Sequence, residues 1–128
     1  MAVIKIDLDQ PFDEFEIGGK VYKVYYDDES MKKYQSAMSG LQRSSQKVAG
    51  MDLSAMNPEE QSAFEKEQQQ EMRGFIETFF GEGTFDDIYK ASGESVINLG
   101  KIASVLIEWI NNKVGDLKQQ KKDYYTKK

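Results

Sequence analysis

Between Val96 and Leu117 the chain reads V-I-N-L-G-K-I-A-S-V-L-I-E-W-I-N-N-K-V-G-D-L, its densest apolar run and the site of its only tryptophan. Ile102, Val105, Leu106, Trp109, Ile110, Val114 and Leu117 recur at spacings of three and four, which makes one face of an α-helix. Lys101, Glu108, Asn112 and Asp116 fall mostly off that face. Charges and amides interrupt the run too often for a bilayer span. A helix with this much apolar surface has to be covered. We therefore expect it to be the central packing helix, with the other elements layered against it.

Composition narrows what those layers can do. A chain of 128 residues makes one domain with one core. It has no cysteine, which excludes disulfides, thiolate metal sites and thiol catalysis. It has no histidine either, so the commonest general base and metal ligand is missing, and with it every standard triad. The net charge of −5 argues against nucleic acid as a ligand. The opening M-A-V-I-K-I-D-L is too short and too soon charged for a secretory signal, so a soluble, cytoplasmic protein is expected.

The N-terminal quarter has strand character. Ile4, Ile6 and Leu8 alternate with Lys5 and Asp7, and Pro11 punctuates the run. F-E-I then leads into Gly18-Gly19 and K-V-Y-K-V-Y-Y. Two glycines between strand-like runs signal a hairpin, because both can take positive φ. A small antiparallel sheet is expected over roughly residues 2 to 26.

Helices are expected over residues 28 to 122. Asp27, Asp28 and Glu29 open the first, with Asp28 chosen as its N-cap. Met31, Tyr34, Met38, Leu41, Ser45 and Val48 form a narrow stripe along it. The stripe is either the core face of an ordinary amphipathic helix or a seam for self-association or a partner. Asn57-Pro58-Glu59-Glu60 marks the next start: an N-cap, a proline at the first helical position, and a glutamate placed for a capping box. That helix begins with a polar half, read as a solvated arm. It ends in Phe75, Ile76, Phe79 and Phe80, read as core rather than binding surface because aromatics this dense are usually buried. Thr84 is expected to cap a short helix over F-D-D-I-Y-K-A-S, and Glu94 or Ser95 to open the long one. Residues 118–128 are expected to be a frayed, flexible tail. From Asn112 onward six lysines face two acids, net +4, whereas residues 1–30 are net −5. Lysines there suit the helix dipole, or they dock an acidic partner.

No chemistry-bearing constellation emerges. Asp7 with Asp9, and Asp27 to Glu29, lack the spacing of a Ca²⁺ loop. Asp86-Asp87 is a first-turn charge pair before it is a dyad. Gly18-Gly19 and G-E-G lack the Lys-Ser/Thr of a phosphate loop. Tyr124 and Tyr125 beside the lysines are too small a patch for nucleic acid. No enzyme, cofactor or metal is expected, and the fold class is α+β, mainly α: a short N-terminal antiparallel sheet followed by three or four helices, the last one long.

The ensemble resembles the small tail assembly chaperones of long-tailed bacteriophages and prophages of Gram-positive bacteria. The residues that carry the likeness are I-K-I-D-L with F-E-I-G-G-K-V-Y-K-V-Y-Y, the helix start D-D-E-S-M-K-K-Y, F-F-G-E-G-T-F-D-D-I-Y, and the long last helix with its lysine-rich ending. The resemblance covers most of the chain but rests on no short motif. It implies a non-enzymatic protein of the host cytoplasm, absent from the mature virion. Such a protein coats the apolar, helical tape measure protein and helps the tail tube protein polymerise around it. It also implies a homo-oligomer and, by ribosomal slippage at codons such as those of Lys121-Lys122 or Lys127-Lys128, a longer frameshifted form. Candidate partner-binding residues are Met31, Tyr34, Met38, Leu41, Phe75, Phe79, Phe80, Lys121 and Lys122. Nucleic acid and membrane are not expected partners. The alternatives are a structural phage protein (a head–tail connector or tail completion component), a small regulatory adaptor, and a metal-dependent hydrolase or nuclease using the N-terminal aspartates.

Overall fold

A computed structural model describes residues 2–126. It has a two-stranded antiparallel sheet and four α-helices: β1 (Phe12–Ile17), β2 (Lys20–Tyr25), α1 (Asp28–Ala49), α2 (Pro58–Phe80), α3 (Phe85–Ala91) and α4 (Val96–Thr126), with a 3-10 turn at Leu53–Ala55. This is the expected α+β architecture with a long last helix.

The hairpin turns on Gly18 and Gly19, at φ 59° and 82°. Positive φ at both residues is what a type I′ turn requires. The register pairs Phe15 with Tyr22 and Asp13 with Val24. These pairs face the helices, where Val24 is fully buried and Tyr22 nearly so. The opposite face carries Phe12–Tyr25, Glu14–Lys23 and Glu16–Val21. Residues 2–8, expected as a strand, are not one: Val3, Ile4, Ile6 and Leu8 lie exposed, and the sheet begins only at Phe12. Alternation makes a segment competent to pair, but pairing needs an edge within reach.

Each helix start has a local cause. Asp27, not Asp28, caps α1: its side chain accepts from the Ser30 N–H at 3.3 Å. Two adjacent aspartates offer the same cap, and the one with extended backbone (φ −64°, ψ 163°) takes it. Asn57 caps α2 as expected, accepting from the Glu60 N–H at 2.8 Å, with Pro58 opening the helix. Ser95 opens α4, accepting from the Asn98 N–H at 3.2 Å. The break before α4 runs through Gly93 (φ 73°) and Glu94 (φ 54°), whose N–H groups close onto the Lys90 and Tyr89 carbonyls.

α1 and α2 form an antiparallel hairpin. Tyr34 stacks on Phe79 near the base, with ring centroids 4.3 Å apart, and Ser44 donates to Glu71 further out. The core sits at the base of this hairpin. Phe75, Ile76, Phe79 and Phe80 of α2 meet Leu99, Ala103, Leu106 and Ile110 of α4, with Phe85 and Ile88 of α3 and Val24 of the sheet. Six of the seven expected face residues of α4 line or abut this core: Ile102, Leu106, Trp109, Ile110, Val114 and Leu117; Val105 is exposed. The last turns of α4, expected as a frayed tail from residue 118, remain helical to Thr126 with exposed side chains. Lysine and glutamine are good helix formers and continue a helix without any apolar partner. Lys127 and Lys128 lie outside the described residues.

Candidate interaction surface

Two packed regions decide which surfaces remain free. The first ties the sheet to the last helix. The Trp109 indole N–H donates to Asp13 Oδ2 at 2.8 Å, and Lys113 Nζ stands 3.0 Å from the same oxygen. Lys113 also lies over the Tyr26 ring, 4.3 Å from its centroid. The indole hydrogen bond, with Lys113 as a lesser influence, holds the Asp13 carboxyl below the usual aspartate range. A largely buried indole needs an acceptor for its N–H, and Asp13 supplies it from the other end of the chain. Neither Asp13 nor Lys113 stood out in the sequence; the lone tryptophan was the available signal that an acceptor must exist.

The second region anchors α3. Glu77 Oε2 accepts from the N–H groups of Gly83 at 3.0 Å and Phe85 at 3.2 Å. Arg73 reaches Asp86 at 2.9 Å and lies over the Phe85 ring, 4.6 Å from its centroid. Glu77 thus does the work expected of Thr84, whose hydroxyl instead donates to the Gly81 carbonyl at 2.6 Å. Thr84 has an αR backbone, and its side chain makes no capping bond.

The candidate partner residues divide accordingly. Met31, Tyr34, Phe75, Phe79 and Phe80 are buried and belong to the core, so they present no binding surface in this conformation. Burial pushes the Tyr34 hydroxyl above the ordinary tyrosine range. Met38 and Leu41 are half-buried where the core gives way to the hairpin. Lys121 and Lys122 are exposed on the last turns of α4, and Lys121 makes a long contact of 4.0 Å with Asp28. An ion pair this exposed contributes little to stability.

Beyond Leu41 the α1–α2 hairpin leaves the other elements behind. Its far half carries Val48, Met51, Met56 and Phe64, all only half-buried. Nearer the base, a groove between the two helices is lined by Ala37, Gly40, Leu41, Gly74 and Phe75. Two helices can cover only part of each other's apolar stripe, and a third layer would complete it. From the sequence, Met51 and Met56 read as parts of a connection and Phe64 as the first member of the aromatic run that continues to Phe80, so nothing local joins the three into one surface.

No family model, curated protein or solved structure matches this chain. Among the described residues no helix is long and apolar enough to cross a membrane, and no three acidic side chains gather as a metal site would need.

Proposed function

We propose that this protein is a tail assembly chaperone of a long-tailed bacteriophage. It binds the tape measure protein, keeps it soluble, and promotes assembly of the tail tube protein around it. The observation that carries this reading is the far half of the α1–α2 hairpin, a two-helix arm with a half-covered, methionine-rich apolar seam. An amphipathic helix of the client supplies the missing third layer, with its apolar face against Leu41, Val48, Met51 and Phe64. Methionine suits a surface that must accept many non-identical turns of a long client, since its unbranched side chain adapts to irregular contours. The net charge of −5 helps to keep the loaded complex in solution.

On this reading the chaperone acts in the host cytoplasm and leaves before the particle is complete. The residues that recognise the client are Met38 and Leu41 at the base of the arm and Val48, Met51, Met56 and Phe64 along it. Lys121 and Lys122 form a separate basic patch for an acidic neighbour, either the tail tube protein or a longer frameshifted form of the chain.

Co-expression with the tape measure protein tests the proposal. The tape measure protein should stay in the supernatant with the wild-type chain and sediment with a Met51→Asp/Phe64→Asp variant. The chain should also be missing from purified particles. A tape measure protein that is equally soluble with both variants would overturn the arm as the client site. Stoichiometric recovery of the chain inside particles would favour the connector or tail-completion role.

A further inference from the structure

We propose that residues 3–8 of one copy add as an antiparallel third strand to the free edge of β1 in a second copy. The chain then assembles with itself by strand exchange. This inference is independent of what the α1–α2 arm binds.

The segment is a strand without a sheet. Ile4, Ile6 and Leu8 are 85%, 76% and 81% exposed. Lys5 Nζ and Asp7 Oδ1 lie 3.8 Å apart on one side of it, as residues two apart in an extended chain do. Its apolar side therefore faces the other way as a continuous row, and a row of large aliphatic side chains in water is unfavourable.

The edge is complementary. In a two-residue hairpin the pair closing the turn exchanges hydrogen bonds, and so does every second pair beyond it. Here those pairs are Ile17–Lys20, Phe15–Tyr22 and Asp13–Val24. The Tyr26 N–H, donating to the Pro11 carbonyl at 2.8 Å, continues the series. The N–H and C=O groups of Phe12, Glu14 and Glu16 therefore point away from β2. The Phe12 N–H is used locally by the Gln10 carbonyl at 2.9 Å. Glu14 and Glu16 are left as an open edge, since the sheet has only two strands among the described residues. Such an edge is a template for another strand. Beside it a groove of about 210 Å³ runs between β1 and α4, lined by Phe15, Ile17, Phe80, Ile102 and Val105.

Two features favour a second copy over the same chain. Pro11 would fill the last position of a two- or three-residue loop folding the segment back onto its own β1. Its ring holds φ near −65°, whereas the type I′ and three-residue hairpin loops need positive φ there. Charge then sets the register. With Lys5 opposite Glu14, Ile4 falls opposite Phe15 and Asp7 opposite Phe12, so no two acids face each other across the strands. Ile4 and Ile6 then project on the helix-packed side, toward the groove. Because donor segment and acceptor edge are different surfaces, the contact is heterologous. It closes into a reciprocal dimer or a ring, or it propagates as an open chain of copies.

The native chain has no cysteine, so engineered pairs report cleanly. A Lys5→Cys chain mixed with a Glu14→Cys chain should form a mixed disulfide dimer under mild oxidation. Adding Ile4→Asp/Ile6→Asp to the donor should abolish it without changing the circular dichroism spectrum or the Tm measured at dilutions where the chain is monomeric, because both isoleucines are exposed in the single chain. By sedimentation, Lys5→Glu should weaken self-association about tenfold, and Lys5→Glu/Glu14→Lys should restore it. A chain that stays monomeric at every concentration and forms no mixed disulfide would overturn the proposal. So would a disulfide that forms only within a single chain carrying both cysteines.

Discussion

Replacing Asp13 tests whether one carboxylate fastens the sheet to the helical body. Asp13 Oδ2 receives the Trp109 indole N–H at 2.8 Å and stands 3.0 Å from Lys113 Nζ. A hydrogen bond to a charged group contributes about 1.5–3 kcal/mol when well shielded. The Asp13 side chain is 41% exposed, so solvent screening lowers that figure. Asp13→Ala should therefore cost about 1–2 kcal/mol. For a two-state chain of this length that corresponds to a fall in Tm of roughly 4–7 °C. Asp13→Asn keeps a carbonyl acceptor for the indole and loses the attraction to Lys113, so about half that loss is expected. The pH dependence has a definite sign. The folded protein holds the Asp13 carboxyl below its ordinary value, mainly through the indole hydrogen bond, so the unfolded chain binds its proton more readily. This stabilisation is complete above the unfolded pKa of about 3.9 and is lost as pH falls through the folded value. The gap in stability between wild type and Asp13→Asn should be constant near neutrality and shrink below about pH 4. Urea denaturation followed by Trp109 fluorescence measures both quantities, with Glu14→Ala on the exposed face of the same strand as the control. Equal denaturation midpoints for Asp13→Ala and Glu14→Ala, with no difference in pH profile, would refute the reasoning.

Further outcomes follow from other contacts. A Cβ at Gly18 would come within 2.7 Å of the Ala91 Cβ, whereas one at Gly19 meets open space, and both residues have positive φ. Gly19→Ala should cost about 1–2 kcal/mol from backbone strain, and Gly18→Ala roughly 1–3 kcal/mol more, with Ala91→Gly recovering only the second part in thermal melts. Glu77→Ala removes the acceptor for two N–H groups at the start of α3, and should cost about 1–2 kcal/mol and raise hydrogen exchange in that segment. Leu106→Ala, at a fully buried position in the centre of α4, should cost about 2–5 kcal/mol in urea denaturation. A smaller loss would mean that α4 is not the packing centre.

The elements that could be read from the sequence are those whose signals are local. The Gly18-Gly19 turn, the Asn57-Pro58 helix start and the apolar face of α4 each follow from residues within one or two turns of each other. Where sequence and structure differ, the signal is also local but its outcome depends on distant partners. The alternation at residues 2–8 was real, yet no edge of the same sheet lies where Pro11 lets the segment reach. Residues 118–126 have no apolar period, but the absence of a packing face is not the absence of a helix. Propensity alone carries α4 through them to Thr126. The capping of α3 by Glu77 instead of Thr84 is a tertiary contact eight residues long, which no capping pattern encodes. The candidate surface was legible only in part. The Met31–Val48 stripe was one continuous seam in the sequence, but the structure divides it. Met31 and Tyr34 are buried and become core, Met38 and Leu41 pack half-buried against its rim, and Val48 lies half-buried beyond it.

That division has a physical cause with functional weight. α4 runs antiparallel to the first turns of α1, bringing Trp109 to Tyr34 (ring centroids 6.0 Å apart) and Lys121 toward Asp28. Its 31 residues rise about 1.5 Å each, roughly 46 Å in all. That length would cover the whole α1–α2 hairpin if α4 lay along it. It instead passes Asp28 and continues away from the arm, with its lysines in solvent. The apolar seam of the arm is therefore uncovered because of the direction of α4, not because the chain lacks helix to cover it. The direction of α4 thus leaves both the half-buried side chains of the arm and the lysines of its own last turns without cover from the rest of the described residues.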